Sequence, residues 1–357
     1  MIRVLLLYGG RSAEHEISCL SARSVLEVID RDRYEVTTVG ITRDGRWTLT
    51  DGDIVTPAGA DLPSVPDDGP TVGLVGGRHG PRLVTLDDAD DGRTEAAVIG
   101  PVDVAFPLMH GPWGEDGTVQ GMLATVGVPY VGADVTASSI GIDKAAMKAS
   151  FAADGLPQGG YLAVHRSRWE HDPDGVATEL DAAFGAPWFT KPARQGSSIG
   201  ISKVKRLADL APAMAAAYAH DDVVVIEEGI EGARELEVGV LGHETLAVTR
   251  PGEIVSSHEF YDFEAKYLDA SELLIPADVP DDVARSTDRL ARRAFRAINC
   301  RGLARVDFFA TNDGRVVVNE INTIPGFTPS SMFPRLWAAE GLDYRGLVDR
   351  LLGDATI

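Results

Sequence analysis

The run Arg305-Val-Asp-Phe-Phe-Ala-Thr-Asn-Asp-Gly-Arg-Val-Val-Val-Asn-Glu-Ile-Asn322 concentrates the residue types that could do chemistry in this chain. Two apolar-rich alternating segments flank an Asp-Gly pair, which predicts a β-hairpin with a type I′ turn. If Asp313 and Gly314 are the two turn residues, Asp307 faces Glu320 and Arg305 faces Asn322. Side chains alternate along a strand, so all four share one face. Two carboxylates directly opposite each other repel. A divalent cation between them removes that cost, and Asp307, Glu320 and Asn322 offer the oxygen ligands that Mg²⁺ accepts. The plainer alternative is a solvated hairpin whose acids face water. A turn at Asn312-Asp313 would also move the pairing by two.

Other segments have a suggestive make-up. Phe189-Thr-Lys-Pro-Ala-Arg-Gln-Gly-Ser-Ser-Ile-Gly200 reads as a strand, a lysine and a Gly/Ser-rich loop. Backbone N–H groups of such a loop can cradle phosphate oxygens, with Lys191 as a point charge. It lacks the spacing of a Walker A loop, and such a loop is often only a turn. Lys144, beside a candidate N-cap at Asp143, could be a second phosphate lysine or an ordinary surface residue. Val223-Val-Val-Ile-Glu-Glu-Gly-Ile230 runs an apolar strand into paired acids, where an exposed backbone edge could meet a base; a charged linker reads the same way. Glu14 stands at a helix start, where a carboxylate is favoured by capping alone. His110 ends an apolar strand beside glycines, as a site residue or as a structural histidine.

The elements that must position these groups follow from patterning. Strand Val4 to Leu7, a Gly-Gly turn, helix Ala13 to Val28 and strand Val36 to Ile41 predict a βαβ opening and a parallel sheet. Residues 51–97 are rich in Asp, Gly and Pro and predict solvated loops and hairpins, with a short apolar stretch from Thr71 to Val75. Strands are expected at Val102 to Leu108, Pro129 to Val131, Tyr161 to Val164, Trp188 to Lys191, Val223 to Glu227 and Glu235 to Leu241. Helices are expected from Thr118, after Asp143 as far as Gly155, over Leu207 to Ala219, and from Tyr344.

With 357 residues the chain is long enough for two or three domains. A net charge of −21 argues against nucleic acid or an anionic membrane as a bulk partner, though local lysines and arginines can still hold a phosphorylated ligand. Its two cysteines, Cys19 and Cys300, have no metal-type spacing and predict neither a disulfide framework nor a zinc site. The N-terminal apolar run is short and reads as a buried strand, so the expected compartment is the cytoplasm.

The order of these segments is more telling than any one of them. Gly-Gly-Arg-Ser-Ala-Glu14-His-Glu-Ile-Ser, His110-Gly-x-x-Gly-Glu-Asp-Gly-x-x-Gln-Gly, Lys191-Pro-x-Arg-x-Gly-Ser-Ser-x-Gly, Tyr261-Asp-Phe-Glu-Ala-Lys-Tyr267 and Glu320-Ile-Asn-Thr-Ile-Pro-Gly-Phe-Thr follow one another. In this the chain resembles the ATP-grasp superfamily and, more closely, the D-alanine–D-alanine ligases, over nearly its whole length apart from residues 51–97. The resemblance implies an α/β, three-domain ATP-grasp fold. Residues 1–132 would form an N-terminal parallel-sheet domain, and residues 133–226 and 227–357 two α+β domains that sandwich ATP. It implies ATP-dependent joining of two D-alanines through an acylphosphate, for peptidoglycan synthesis; D-alanine–D-lactate or another carboxylate–amine ligation is the alternative.

Residue by residue, the resemblance implies ATP contacts from Lys144, Lys191, Lys266, backbone at Glu228 and Ile230, and Glu235, with Glu237 as a rival for the ribose. It implies Mg²⁺ or Mn²⁺ on Asp307, Glu320 and Asn322, and an oxyanion hole from Arg305 and the Gly326 N–H. Glu14 would hold the first substrate's ammonium, in a hydrogen-bond chain with Ser197 and Tyr267. His110, Ser331 and Met332 complete the expected substrate contacts, Met332 as an apolar wall. A homodimer is expected, with small-molecule substrates and no nucleic-acid or membrane partner.

Overall fold

A computed structural model describes residues 1–52, 54–57, 61–88, 94–255 and 272–356. The predicted βαβ opening is present as strand Ile2–Gly9, helix His15–Val28 and strand Tyr34–Ile41. The two strands pair in parallel, Val4 opposite Val36 and Leu7 opposite Val39. Val104–Leu108 adds in parallel on the other edge, and Trp47–Thr50 antiparallel on the outside. Leu5, Leu6 and Leu7 are all fully buried, as a run without alternation requires of a strand covered on both faces. The strand expected at Pro129 to Val131 is reduced to a bridge between Tyr130 and Ala105.

The stretch expected as loops and hairpins contains a three-stranded antiparallel sheet, Val72–Val75, Arg82–Asp88 and Thr94–Pro101. Residues 94–99 are exposed, so that strand shows no inside-outside alternation.

A second sheet is antiparallel throughout, in the order Ser202–Val204, Trp188–Pro192, Val223–Glu228, Tyr161–His165. Helices Pro173–Ala183 and Leu210–Tyr218 cover it, packing Val176, Leu180, Leu210 and Met214 against Val164, Val224 and Ile226. The third and largest sheet runs Glu272–Leu274, Gly252–Val255, Arg234–Gly242, Gly302–Ala310, Val316–Asn322, with Leu246–Val248 paired on the middle strand.

Helix Asp281–Ala297 lies on the third sheet. Its buried residues Val283, Thr287, Leu290, Ala291, Ala294 and Phe295 recur at helical spacing, a signal present in the sequence that the patterning above passed over. Helix Lys144–Ala153 packs Met147 and Phe151 into the same core, behind a further helix, Val135–Ile142. Asp143 caps the former as expected, accepting hydrogen bonds from the N–H groups of Ala145 (3.0 Å) and Ala146 (3.1 Å). The last helices, Met332–Ala339 and Tyr344–Ala355, return to the first sheet, where Phe333, Trp337, Leu347 and Leu351 share a core with Val4, Leu6 and Phe106. Cys19 and Cys300 are buried, free thiols in two different cores.

Candidate active site

The hairpin brings its polar residues together as expected, but by a different route. The chain turns through a three-residue loop. Thr311 pairs with Arg315, the Gly314 N–H donates to Thr311 O at 2.9 Å, and Gly314 takes φ +83°. That is the type I turn closed by a left-handed residue, not the two-residue type I′ turn. By itself it shifts every facing pair by one, and Ala310 indeed faces Val316 and Phe308 faces Val318. A bulge at Asn319 takes up the extra residue, so that Asp307 faces Glu320 and Arg305 faces Asn322.

Arg305 grips Asp307 with both arms of its guanidinium, at 2.7 Å each, and its Nε stands 3.0 Å from Glu237 Oε2 on the neighbouring strand. Burial disfavours the charged guanidinium, but Asp307 and Glu237 outweigh it and raise Arg305 well above its ordinary pKa. Asn322 Nδ2 donates to Asp307 Oδ2 at 3.0 Å. Among the described residues no three His, Cys, Asp or Glu side chains cluster as metal ligands. The expected set needs only two acids and an amide. Two carboxylates in facing register with an amide beside them form an all-oxygen donor set that suits a hard divalent cation, once the Asn322 amide turns its oxygen inward. These residues fit such an ion.

Asp307, Glu320 and Asn322 line a cavity of about 460 Å³ together with Lys144, Lys191, Ser197, Glu228, Ile230 and Glu235. The cavity lies between the second and third sheets. Lys144 Nζ donates to Gln195 O at 2.7 Å, tying the Gly/Ser-rich loop to its helix. Lys191 Nζ donates to Glu227 Oε2 at 2.8 Å, and Lys148 Nζ stands 3.3 Å from Glu227 Oε1. Burial alone would pull the Lys191 ammonium down; Glu227, together with Glu320 and Glu235, more than offsets it and raises the pKa. The Glu228 N–H is taken by Gly160 O at 2.8 Å, and Glu228 Oε2 accepts from Gly160 N at 2.9 Å. Glu237 is held by Arg305, and Glu235, two residues earlier on the same strand, acts on the Lys191 ammonium.

Glu14 is not a cap. It occupies the N-cap position of helix His15–Val28, yet its side chain makes no capping hydrogen bond. Instead Ser197 Oγ, from the loop after the second sheet's lysine strand, donates to Glu14 Oε1. Two glycines make room for the carboxylate. A Cβ at Gly111 or at Gly196 would stand 2.7 Å from Glu14 Oε2, and Gly111 also takes φ +77°. Three of the motifs quoted above therefore converge on one carboxylate.

His110 supports this arrangement from beneath. Its Nε2 meets Ser21 Oγ at 2.9 Å and its Nδ1 meets Ile324 O at 3.1 Å, so both ring nitrogens are engaged by the protein. Burial lowers its pKa, with Glu14 opposing. Ser331 Oγ accepts from the Thr328 N–H at 3.1 Å, and a Cβ at Gly326 would stand 3.1 Å from that oxygen. Met332 packs with Ile254 and Leu336 in a small apolar cluster. Glu14, His110, Arg305, Gly326, Ser331 and Met332 do not line the cavity itself. Lys266 and Tyr267 lie outside the described residues.

Patterning gave no role to Glu115 or Lys148. Glu115 Oε1 accepts from the Gly111 N–H at 2.8 Å, and its side chain lines the cavity. Burial, then the Glu14 carboxylate, pushes its pKa up to about 8. A lone Glu in a glycine-rich turn gives no hint of this. Lys148, by contrast, was signalled by its spacing, one helical turn beyond Lys144.

Comparison with known proteins now decides the family. The D-ala D-ala ligase N-terminus matches residues 3–133 and the D-ala D-ala ligase C-terminus residues 150–353. The chain belongs to the D-alanine–D-alanine ligase family. A D-alanine–D-alanine ligase of Arthrobacter sp. (strain FB24) is 48% identical over 362 residues, covering 98% of this chain and 93% of that protein. One from Mycobacterium sp. (strain JLS) is 49% identical over 367 residues, covering 99% and 96%. Among solved structures, VanG D-Ala:D-Ser ligase from Enterococcus faecalis superposes with a TM-score of 0.83 at 32% identity, covering 99% of each chain. The D-alanine–D-alanine ligase from Coxiella burnetii gives 0.81 at 30% identity, covering 100% of this chain and 95% of that one. The α/β, ATP-grasp architecture inferred from motif order is that of these ligases, and the chain is an ADP-forming ligase.

Proposed function

We propose that the chain joins two molecules of D-alanine to D-alanyl-D-alanine at the expense of ATP, for peptidoglycan synthesis. The observation that carries this reading is the single cavity with Lys144 and Lys191 on one side, facing acids on the other, and the Glu14–Ser197 contact tied to its loop. Phosphoryl transfer needs mainly positioning and charge neutralisation. In the first step a D-alanine carboxylate oxygen attacks the γ-phosphorus, ADP leaves and an acylphosphate remains. In the second, the amine of the other D-alanine attacks the acyl carbon, loses a proton, and phosphate leaves.

Lys144 and Lys191 hold the phosphates, the backbone at Glu228 and Ile230 meets the base, and Glu235 takes the ribose. Asp307, Glu320 and Asn322 would hold Mg²⁺ or Mn²⁺, which neutralises charge on the β- and γ-phosphates when bound. Arg305, fixed by Asp307 and Glu237, donates with the Gly326 N–H to the oxyanion of the second step. Glu14 receives the first ammonium, kept in place by Ser197. Ser331 binds the second carboxylate beside Met332. Lys266 and Tyr267 are assigned to loop closure over the acylphosphate, which must be kept from water.

Glu14 has a fixed contact for an ammonium, which favours amino-acid substrates; D-lactate as the second substrate is the alternative product class. The experiment is phosphate release from ATP with D-alanine alone and with D-alanine plus D-lactate, with the product resolved by mass. Release that depends on D-alanine and yields the dipeptide supports the reading; ester as the main product, or release independent of D-alanine, overturns it. No helix among the described residues is long and apolar enough to cross a membrane. We assign the chain to the cytoplasm, where its substrates are made, and to a homodimer; light scattering of the purified protein tests the latter.

A further inference from the structure

Lys148 is a buried lysine for which the reaction above has no use. It sits one turn after Lys144 on helix Lys144–Ala153, so both point from the same helix face. Lys144 lines the cavity, but Lys148 does not. Its side chain is only 3% exposed. Keeping an ammonium out of water is costly unless it is paired, and its carboxylate partner is Glu227, 3.3 Å away. The Tyr161 ring lies under the ammonium, 5.6 Å from its centroid, and Gln158 Nε2 fixes the helix there by donating to Lys148 O at 3.0 Å. Tyr161 is also the strand partner of Glu227, so the second sheet holds both groups that face Lys148.

Glu227 is shared. Its other oxygen takes Lys191 at 2.8 Å, and Lys191, unlike Lys148, lines the cavity. Two ammonium groups thus divide one carboxylate, and these three groups together keep a net charge of one positive, with Glu320 and Glu235 of the third sheet as the next carboxylates to act on Lys191. Without Lys148, Glu227 and Lys191 would form a neutral pair, and the carboxylate would compete undiluted with any phosphate for the Lys191 ammonium. We propose that Lys148 is a positioning residue for nucleotide phosphates: it occupies the far side of Glu227 and so leaves Lys191 a free share of charge to give to the β- and α-phosphates. Lys148 itself touches no substrate.

This inference rests on the cavity being the ATP site, and the experiment separates the two. Calorimetry on the full-length protein compares ATP, ADP and adenosine. Absence of ATP binding to the wild type overturns the ATP-site reading itself. With wild-type binding in hand, Lys148→Met is expected to weaken ATP and ADP by roughly tenfold or more, the scale of one unit charge in a partly buried site, and to leave adenosine within about twofold. Lys148→Arg keeps the charge and should keep the ATP-to-adenosine affinity ratio. The double variant Lys148→Met with Glu227→Gln removes one charge of each sign, and its ratio should return towards the wild-type value. Equal losses for ATP and adenosine in Lys148→Met, or no loss at all, overturn the proposal. So does a double variant whose ratio stays as low as that of the single variant. If Lys148→Met does not fold, the double variant decides: a wild-type ratio supports the proposal and a collapsed one overturns it.

Discussion

Two buried clusters of charge share the cavity, and their balances are opposite. On the second sheet, Lys148 and Lys191 divide the single carboxylate of Glu227. On the third, the single guanidinium of Arg305 stands against Asp307 and Glu237, with Glu320 facing Asp307 across the hairpin. Neither cluster balances internally, and each carries a surplus of charge that a ligand can complete. The cationic one is suited to phosphate and the anionic one to a divalent cation. What a buried ion cluster recruits can be read from the sign left over when its pairs are counted.

The largest effects are expected where that surplus is negative. Asp307→Asn or Glu320→Gln should reduce ATP-dependent ligation by ~10³-fold or more, since charge neutralisation supplies several kcal/mol in such sites. Glu320→Gln also relieves a like-charge pair and should stabilise the metal-free protein by up to ~1 kcal/mol, whereas Asp307→Asn breaks the bidentate contact to Arg305 and should lower its stability. Steady-state assays and thermal melts check both. Full activity in either variant would sink the metal assignment and with it the contrast between the clusters.

Removing the cation from the same cluster tests the balance from the other side. Arg305→Met leaves Asp307, Glu237 and Glu320 without their shared partner and should cost ~3–5 kcal/mol of stability. Added Mg²⁺ should restore part of that loss and should raise the wild-type melting temperature less. A melting temperature unaffected by Mg²⁺ in the variant would mean the acids do not form one site.

A smaller, more selective effect is expected at Glu14. Glu14→Gln should raise KM for the first D-alanine by roughly 10- to 100-fold, as a charge-assisted contact of ~1.5–3 kcal/mol is lost. KM for ATP should change little. Parallel rises for both substrates would mean that the Glu14–Ser197 contact only holds the loop.

The mildest prediction concerns acidity. Burial and Glu14 push the Glu115 carboxyl from its ordinary 4.5 up to about 8. The folded protein keeps this proton where the unfolded chain has lost it. Its contribution to stability is full below about pH 4.5 and is lost as pH rises through 8. Glu115→Gln should therefore flatten the fall of stability between these values, by ~1–2 kcal/mol across the window once ~1.4 kcal/mol per pH unit is discounted for the partly exposed side chain. Denaturant melts at pH 5.5 and 8 compare the slopes; identical slopes in variant and wild type rule the effect out.

Much of this was legible in the sequence because chemistry had constrained the residues locally. The Asp307–Glu320 pairing was deduced from a two-residue turn and is present, but the loop is one residue longer and the bulge at Asn319 cancels the difference. Alternation shows that two strands pair; it does not show where a residue is absorbed. Glu14 looked like a cap because its helix position allowed it, and only the fold brings Ser197 to it. Lys148 was given no role because, although it stands one turn beyond Lys144, its partner Glu227 lies on another element and is not encoded nearby. The sheet formed by Val72–Val75, Arg82–Asp88 and Thr94–Pro101 was reduced to loops and hairpins, since a strand exposed on both faces leaves no periodic trace.

The return of helix Tyr344–Ala355 to the first sheet has a consequence for synthesis on the ribosome. Strand Ile2–Gly9 emerges long before that helix, yet Leu347, Val348, Leu351 and Leu352 belong to the same core as Val4 and Leu6. One face of that sheet, covered in part by helix His15–Val28 through Cys19, Ala22 and Val25, therefore stays incompletely packed until residues 344–355 have been translated. Ribosome-bound chains that end before residue 344 and continue into an unstructured linker long enough to clear the exit tunnel should leave Cys19, a member of that core, open to thiol reagents. Cys300 lies in the core of the third sheet, complete without that helix, and should be protected in the same chains. Equal protection of both thiols would show that the first sheet closes without its last helix.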